Sequence, residues 1–142
     1  MTNTAATPRA LGYRMPAEWE PHEATWLAWP HNASDWPGKF SSIPWLYAEI
    51  VRLLAAHERV HLIVENTTMQ GRVTGMLERA RANLDQVSFH CWPTDRSWTR
   101  DSGPIFVRNA AGQVAITNWR FNAWAKYDDW HLDDQLPGRV AE

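Results

Sequence analysis

The sequence has 142 residues, 44% hydrophobic and 21% charged, which is enough for one domain with a sizeable core. A formal net charge of -2, from 14 Lys+Arg against 16 Asp+Glu, argues against a nucleic-acid partner, and no apolar stretch approaches a membrane span. A single cysteine, Cys91, excludes an internal disulfide framework and makes a reducing cytoplasm the default, while the polar start Met1–Ala10 reads as neither secretory signal nor anchor.

In chain order, residues 1–12 read as a loose tail and Tyr13–Pro21 as an irregular lead-in. Ala24–Trp29 is a short apolar run closed by Pro30, which predicts a buried strand. His31–Ser42 is a loop with Pro37 and Gly38. A helix should follow, capped by Ser41 or Ser42 and tolerating Pro44 in its first turn. Its apolar face is read from Ile43, Leu46, Tyr47, Ile50, Leu53, Leu54 and His57.

Arg59–Glu65 is strand-like. Asn66, Thr67 and Thr68 offer caps for a second helix, with Met69, Val73, Met76, Leu77 and Ala80 on one side. Val87–Trp92 reads as another strand and Pro93–Pro104 as a loop. Ile105–Arg108 and Gln113–Phe121 flank Asn109–Gly112 as a hairpin. The polar end, Asp128–Glu142, shows no closing element. The order β-α-β-α-β, then a hairpin, is an α/β pattern.

The 10 Trp stand out. Any single one reads first as a core or loop anchor. Together they also suit a pocket with aromatic walls for a flat or cationic ligand.

The segment with the most chemistry is Thr94–Pro104, just past a strand end, where α/β folds tend to place their sites. Asp95 and Asp101 flank Trp98, and Arg96 and Arg100 are close enough to pair with them. A carboxylate grips a planar guanidinium through two parallel hydrogen bonds, and an indole face adds cation–π attraction. The alternative is that Asp101 pairs with Arg96 or Arg100, or caps nearby backbone N–H groups.

Three ordered motifs carry a resemblance. Trp98–Pro104 (WTRDSGP) resembles the W-x-R-D-[ST]-G-P signature of agmatine deiminases and their bacterial peptidylarginine-deiminase-like relatives. Trp119–Tyr127 resembles the F-N-A-W-x-K-Y segment that follows in that family. Met15–His22, with Trp26–Pro30 behind it, resembles its opening. The resemblance implies a partial pentein fold, in which five β-α-rich units surround a central site. The implied domain is 13–142, truncated at its carboxy-terminal end.

It also implies a chemistry, hydrolysis of a guanidinium C–N bond without metal or organic cofactor. In the family a cysteine thiolate attacks the guanidinium carbon, ammonia leaves, and water releases a ureido product. For agmatine that product is N-carbamoylputrescine, on the way to putrescine. By the motif match Asp101 is the catalytic, guanidinium-holding carboxylate. Trp98 walls the pocket, and Asp95 is a further substrate-binding candidate. The expected partner is a small guanidinium substrate, with no nucleic acid and no membrane.

The family's later H-x-D-D and H-C-x-T-x-Q segments have no counterpart after Tyr127, so the chain by itself is expected to be inactive. His90-Cys91 lies upstream of the W-x-R-D segment, on the wrong side for the nucleophile motif, and Cys91 reads as a small buried hydrophobe. His57 and His61 straddle a helix–strand boundary, and His22, His31 and His131 have no partner at ligand spacing, so no metal site is expected. Asp128, Asp129, Asp133 and Asp134 read as a solvated surface cluster. Two other readings remain open, a peptidylarginine deiminase of the same family and a non-catalytic aromatic binding module.

Overall fold

A computed structural model describes residues 6–142. Three strands form a parallel sheet: β2 (Ala24–Ala28), β3 (Arg59–Val64) and β4 (Val87–Cys91), with β3 in the middle. Helix α1 (Ile43–Leu54) links β2 to β3, and α2 (Thr67–Arg79) links β3 to β4. The second sheet is antiparallel, in the order β1 (Tyr13–Arg14), β5 (Ile105–Asn109), β6 (Val114–Thr117). Two short helices complete the chain, α3 (Thr99–Ser102) and α4 (Leu136–Val140). Among the described residues no helix is long and apolar enough to cross a membrane.

The main core lies between α1, α2 and one face of the parallel sheet. Val60, Leu62 and Val64 of β3 meet Ala48, Val51 and Ala55 from α1 and Val73 and Leu77 from α2. Each such fully buried Val or Leu contributes about 1.5–3 kcal/mol over its exposed state. Asn66 caps α2, its Oδ1 accepting from the Met69 N–H at 2.9 Å. Ser42 precedes α1 without capping it, because its hydroxyl donates to the Lys39 carbonyl at 3.0 Å.

Several expectations need correction. The buried stripe of α1 runs through Tyr47, Ala48, Val51, Leu54 and Ala55, and Leu46 and Leu53 are half exposed. Both stripes are helical in period. The small alanines let α1 approach the sheet closely, which hydropathy alone does not rank. The lead-in contains β1, paired with β5 through Tyr13↔Asn109 and Arg14↔Arg108. The first five residues of the expected loose tail lie outside the described residues.

The loop Pro93–Pro104 contains α3, and the polar end contains α4, whose Leu136 and Pro137 are buried. Cys91 is exposed, not buried: it ends the edge strand β4, and its thiol donates to Gln70 Oε1 at 3.3 Å.

Candidate functional site

The chain leaves β4, turns through Thr94–Trp98, and enters the single turn of α3 that carries Asp101. This turn is closed by Ser102 Oγ, which donates to the Trp98 carbonyl at 3.1 Å, and by Gly103 N–H on the Thr99 carbonyl at 2.9 Å. Gly103 is required by packing, since a Cβ there would stand 2.4 Å from that carbonyl oxygen. The Trp98 ring leans on Trp36, with 5.3 Å between centroids.

A cavity of about 570 Å³ opens in front of this turn. Trp98, Trp124 and Tyr127 supply aromatic walls, and Asp35, Arg96, Asp101 and Lys126 supply charge. Asp101 also borders a smaller concavity with Trp119, Arg120 and Trp124. The Asp101 carboxylate accepts one hydrogen bond, from Trp124 Nε1 at 3.3 Å. Among the described residues it has no cationic partner, because both neighbouring arginines are engaged elsewhere. Arg100 pairs with Glu18, and Arg96 pairs with Asp35 and Asp129.

Trp124 reaches the cavity from an unusual backbone. Ala123, Trp124 and Ala125 all lie in the left-handed region, with φ of 47°, 57° and 54°. A non-glycine residue there costs about 1–2 kcal/mol. Asn122 holds the turn by accepting from Ala125 N–H at 3.2 Å, and Phe121 packs edge-on against Trp124 at 5.3 Å. Strain of this kind concentrates at functional positions.

Arg96 forms the floor. Its guanidinium bonds Asp35 on one side and Asp129 at 2.8 and 3.0 Å on the other, and it sits 4.1 Å over the Tyr127 ring. Burial pulls the Arg96 pKa down, but the bonds to Asp129 and Asp35 outweigh it and hold the group above its ordinary value. The bond from Arg96 likewise holds Asp129 below the usual carboxylate range.

The structure reassigns the other carboxylates. Asp95, expected to bind substrate, does not border the cavity: its Oδ2 accepts from the Leu132 N–H at 2.8 Å. The aspartate cluster is not a solvated face. Asp133 is buried and accepts from the backbone N–H groups of Asp95 and Arg96, and Asp134 accepts from that of Phe121. Only Asp128 is left fully on the surface with no bond of this kind. Asp35 and Asp129 were missed as site residues. Nothing local in the His31–Ser42 loop marks Asp35, and only the fold brings it to Arg96.

The profile of Porphyromonas-type peptidyl-arginine deiminases matches residues 14–142. The chain belongs to this family. It is 36% identical to the agmatine deiminase of Pseudomonas aeruginosa strain LESB58 and 35% identical to that of Pseudomonas fluorescens strain SBW25. Each comparison covers 100% of this chain and 38% of the relative, so the chain spans less than half the length of these deiminases.

The agmatine deiminase of Enterococcus faecalis superposes with a TM-score of 0.82 at 25% identity, over 97% of this chain and 37% of that one. A substrate-bound agmatine deiminase from C. jejuni superposes with a TM-score of 0.72 at 25% identity, over 90% and 36%. The fold is therefore part of a pentein fold, as the motifs led one to expect.

Proposed function

We propose that this chain provides the guanidinium-holding part of an agmatine deiminase, in which Asp101 is the catalytic carboxylate that grips the substrate cation. The observation that carries the reading is Asp101 itself, a carboxylate without a cationic partner among the described residues, on the rim of a cavity walled by Trp98, Trp124 and Tyr127. An aromatic wall beside a free carboxylate attracts a planar cation by charge, hydrogen bonding and cation–π contact together. Trp98 and Trp124 flank the guanidinium, and Asp95 acts behind the site by fixing the Leu132 backbone.

Hydrolysis needs more than this grip. A thiolate must add to the guanidinium carbon, a histidine must protonate the departing ammonia, and water must then displace the thiolate to leave the ureido product. Among the described residues neither a cysteine nor a histidine borders the cavity. Cys91 is committed to Gln70 at the sheet edge. The chain alone therefore binds without turnover, because rate acceleration requires contacts made in the transition state.

Ammonia release tests this, measured for the 142-residue chain and for a chimera carrying the remaining portion of a close relative. The chain should be silent and the chimera active. Asp101→Asn in the chimera should lower kcat/KM about a hundredfold or more, the scale of losing one charge-stabilising contact. Full activity in Asp101→Asn would sink the assignment. A peptidyl-arginine substrate is the second reading, favoured by membership of the Porphyromonas-type peptidyl-arginine deiminases. Faster release from a blocked arginyl peptide than from agmatine would select it. Equal binding of agmatine and a neutral sugar by the chain would instead favour a non-catalytic aromatic module.

A further inference from the structure

Local chain preferences oppose the left-handed turn Ala123–Ala125 that carries Trp124 to the cavity. Three successive non-glycine residues hold positive φ, and each costs free energy that a right-handed turn would not. The turn's own hydrogen bonds do not select its hand. Ala125 N–H donates to the Asn122 carbonyl and Lys126 N–H to the Ala123 carbonyl, both at 3.0 Å, and a right-handed turn makes the same pattern. The hand is therefore selected from outside the turn.

Its two flanks are gripped. Before the turn, Asp134 Oδ1 accepts from the Phe121 N–H at 2.7 Å, across 13 residues. A carboxylate acceptor makes this one of the stronger kinds of hydrogen bond. Phe121 is buried, and its ring packs edge-on against Trp124, with 5.3 Å between centroids. After the turn, Tyr127 packs edge-on against Trp124 at 6.2 Å and lies beneath the Arg96 guanidinium at 4.1 Å. Ala123 is fully buried and seats the turn on the rest of the protein. Asp134 stands in the helical turn Asp133–Gln135, which runs into α4 with its buried Leu136 and Pro137, so its carboxylate is presented from a fixed platform.

We propose that Asp134 is a positioning residue for the guanidinium site. Through Phe121 it holds the Ala123–Ala125 turn left-handed, and the turn in that hand holds the Trp124 indole on Asp101 before a substrate cation arrives. The proposal rests on the reading of Asp101 as the carboxylate that grips the cation. Asp134 does not line the cavity, so it acts only through these intervening groups. A turn of the opposite hand would carry the Trp124 side chain away from Asp101, removing the N–H donor and one aromatic wall together. Ordering both in advance lowers the cost of binding, so the effect is read in affinity.

Two-dimensional NMR of the 142-residue chain with isotope-labelled indoles tests this. The Trp124 N–H resonance is identified by its loss in Trp124→Phe. Asp134→Ala should move that resonance and weaken agmatine binding about fivefold, the scale of one hydrogen bond to a charged group. Asp134→Asn keeps an oxygen that accepts from Phe121 N–H, and should leave the resonance in place and the affinity within about twofold. Ala125→Gly removes the penalty of positive φ at that position. Alone it should raise the urea midpoint, and added to Asp134→Ala it should return the resonance and most of the affinity.

An unmoved Trp124 resonance in Asp134→Ala would overturn the proposal. So would a loss in Asp134→Asn equal to that in Asp134→Ala, or a resonance that Ala125→Gly fails to return. Where Asp134→Ala does not fold, Ala125→Gly decides by itself, since a lowered urea midpoint would mean that the turn holds no strain for Asp134 to oppose. Asp101→Asn separates this proposal from the reading beneath it. Agmatine affinity that survives Asp101→Asn overturns the grip on the cation, and the Trp124 resonance still decides whether Asp134 sets the turn.

Discussion

Trp124 Nε1 donates to Asp101 Oδ1 at 3.3 Å, joining the two motifs of the site through one hydrogen bond. The bond fixes the orientation of the one cavity carboxylate that has no cation of its own among the described residues. Trp124→Phe keeps an aromatic wall and removes the donor. Agmatine binding by the chain should weaken about fivefold, equivalent to about 1 kcal/mol for a partly exposed bond to a charged acceptor. A fluorescence or calorimetric titration measures this, and unchanged affinity would mean that Asp101 is oriented by α3 alone.

Arg96 should tolerate no substitute. Its two terminal nitrogens serve different carboxylates, Asp35 and Asp129, while its plane covers Tyr127. Lysine offers a single point charge and cannot span both. Arg96→Leu leaves the buried Asp35 uncompensated and should cost about 3 kcal/mol or more, as removing one member of a buried ion pair does. Urea denaturation reads the loss, and Arg96→Lys should recover less than half of it.

Gly103→Ala should destabilise the protein by about 1–3 kcal/mol. The added Cβ would meet the Thr99 carbonyl oxygen, which is backbone and cannot rotate away. The turn of α3 would have to open and carry Asp101 with it. The same denaturation experiment should show a lowered midpoint, together with weaker agmatine binding.

Asp133 makes stability depend on pH in an uncommon direction. Burial raises its pKa to about 6, against the N–H bonds from Arg96 and Asp95 that favour the anion. The folded protein therefore holds this proton more tightly than the unfolded chain does. The group's contribution to stability is full below about pH 4, the unfolded value, and is lost as pH rises through about 6. Thermal melts between pH 4 and 7 should show a decline in Tm that flattens in Asp133→Asn. An unaltered slope in that variant would assign the effect to another group.

Local patterns determined much of this protein. Asn66 at the start of α2, the apolar runs of β2 to β4 and the turn at Gly112, with φ of 81°, are written in adjacent residues, because capping, strand burial and left-handed turns depend on near neighbours. The W-x-R-D segment likewise pointed to Asp101 and Trp98, and both lie on one cavity.

The tertiary structure decided which charges remain available. Asp95, Asp129, Asp133 and Asp134 differ little as letters. Three of them bond backbone N–H groups across the chain, and Asp129 bonds the guanidinium of Arg96, 33 residues away. A carboxylate's role depends on what fills its lone pairs, and those partners come from distant segments. The same holds for Asp35, which reaches Arg96 across 61 residues, and for the His61–His90 contact, which exists only because two strands pair in one register. Hydropathy misplaced Cys91 for a related reason: burial depends on whether another element covers the end of an edge strand, and among the described residues Cys91 stays exposed there, touched by Gln70 of α2.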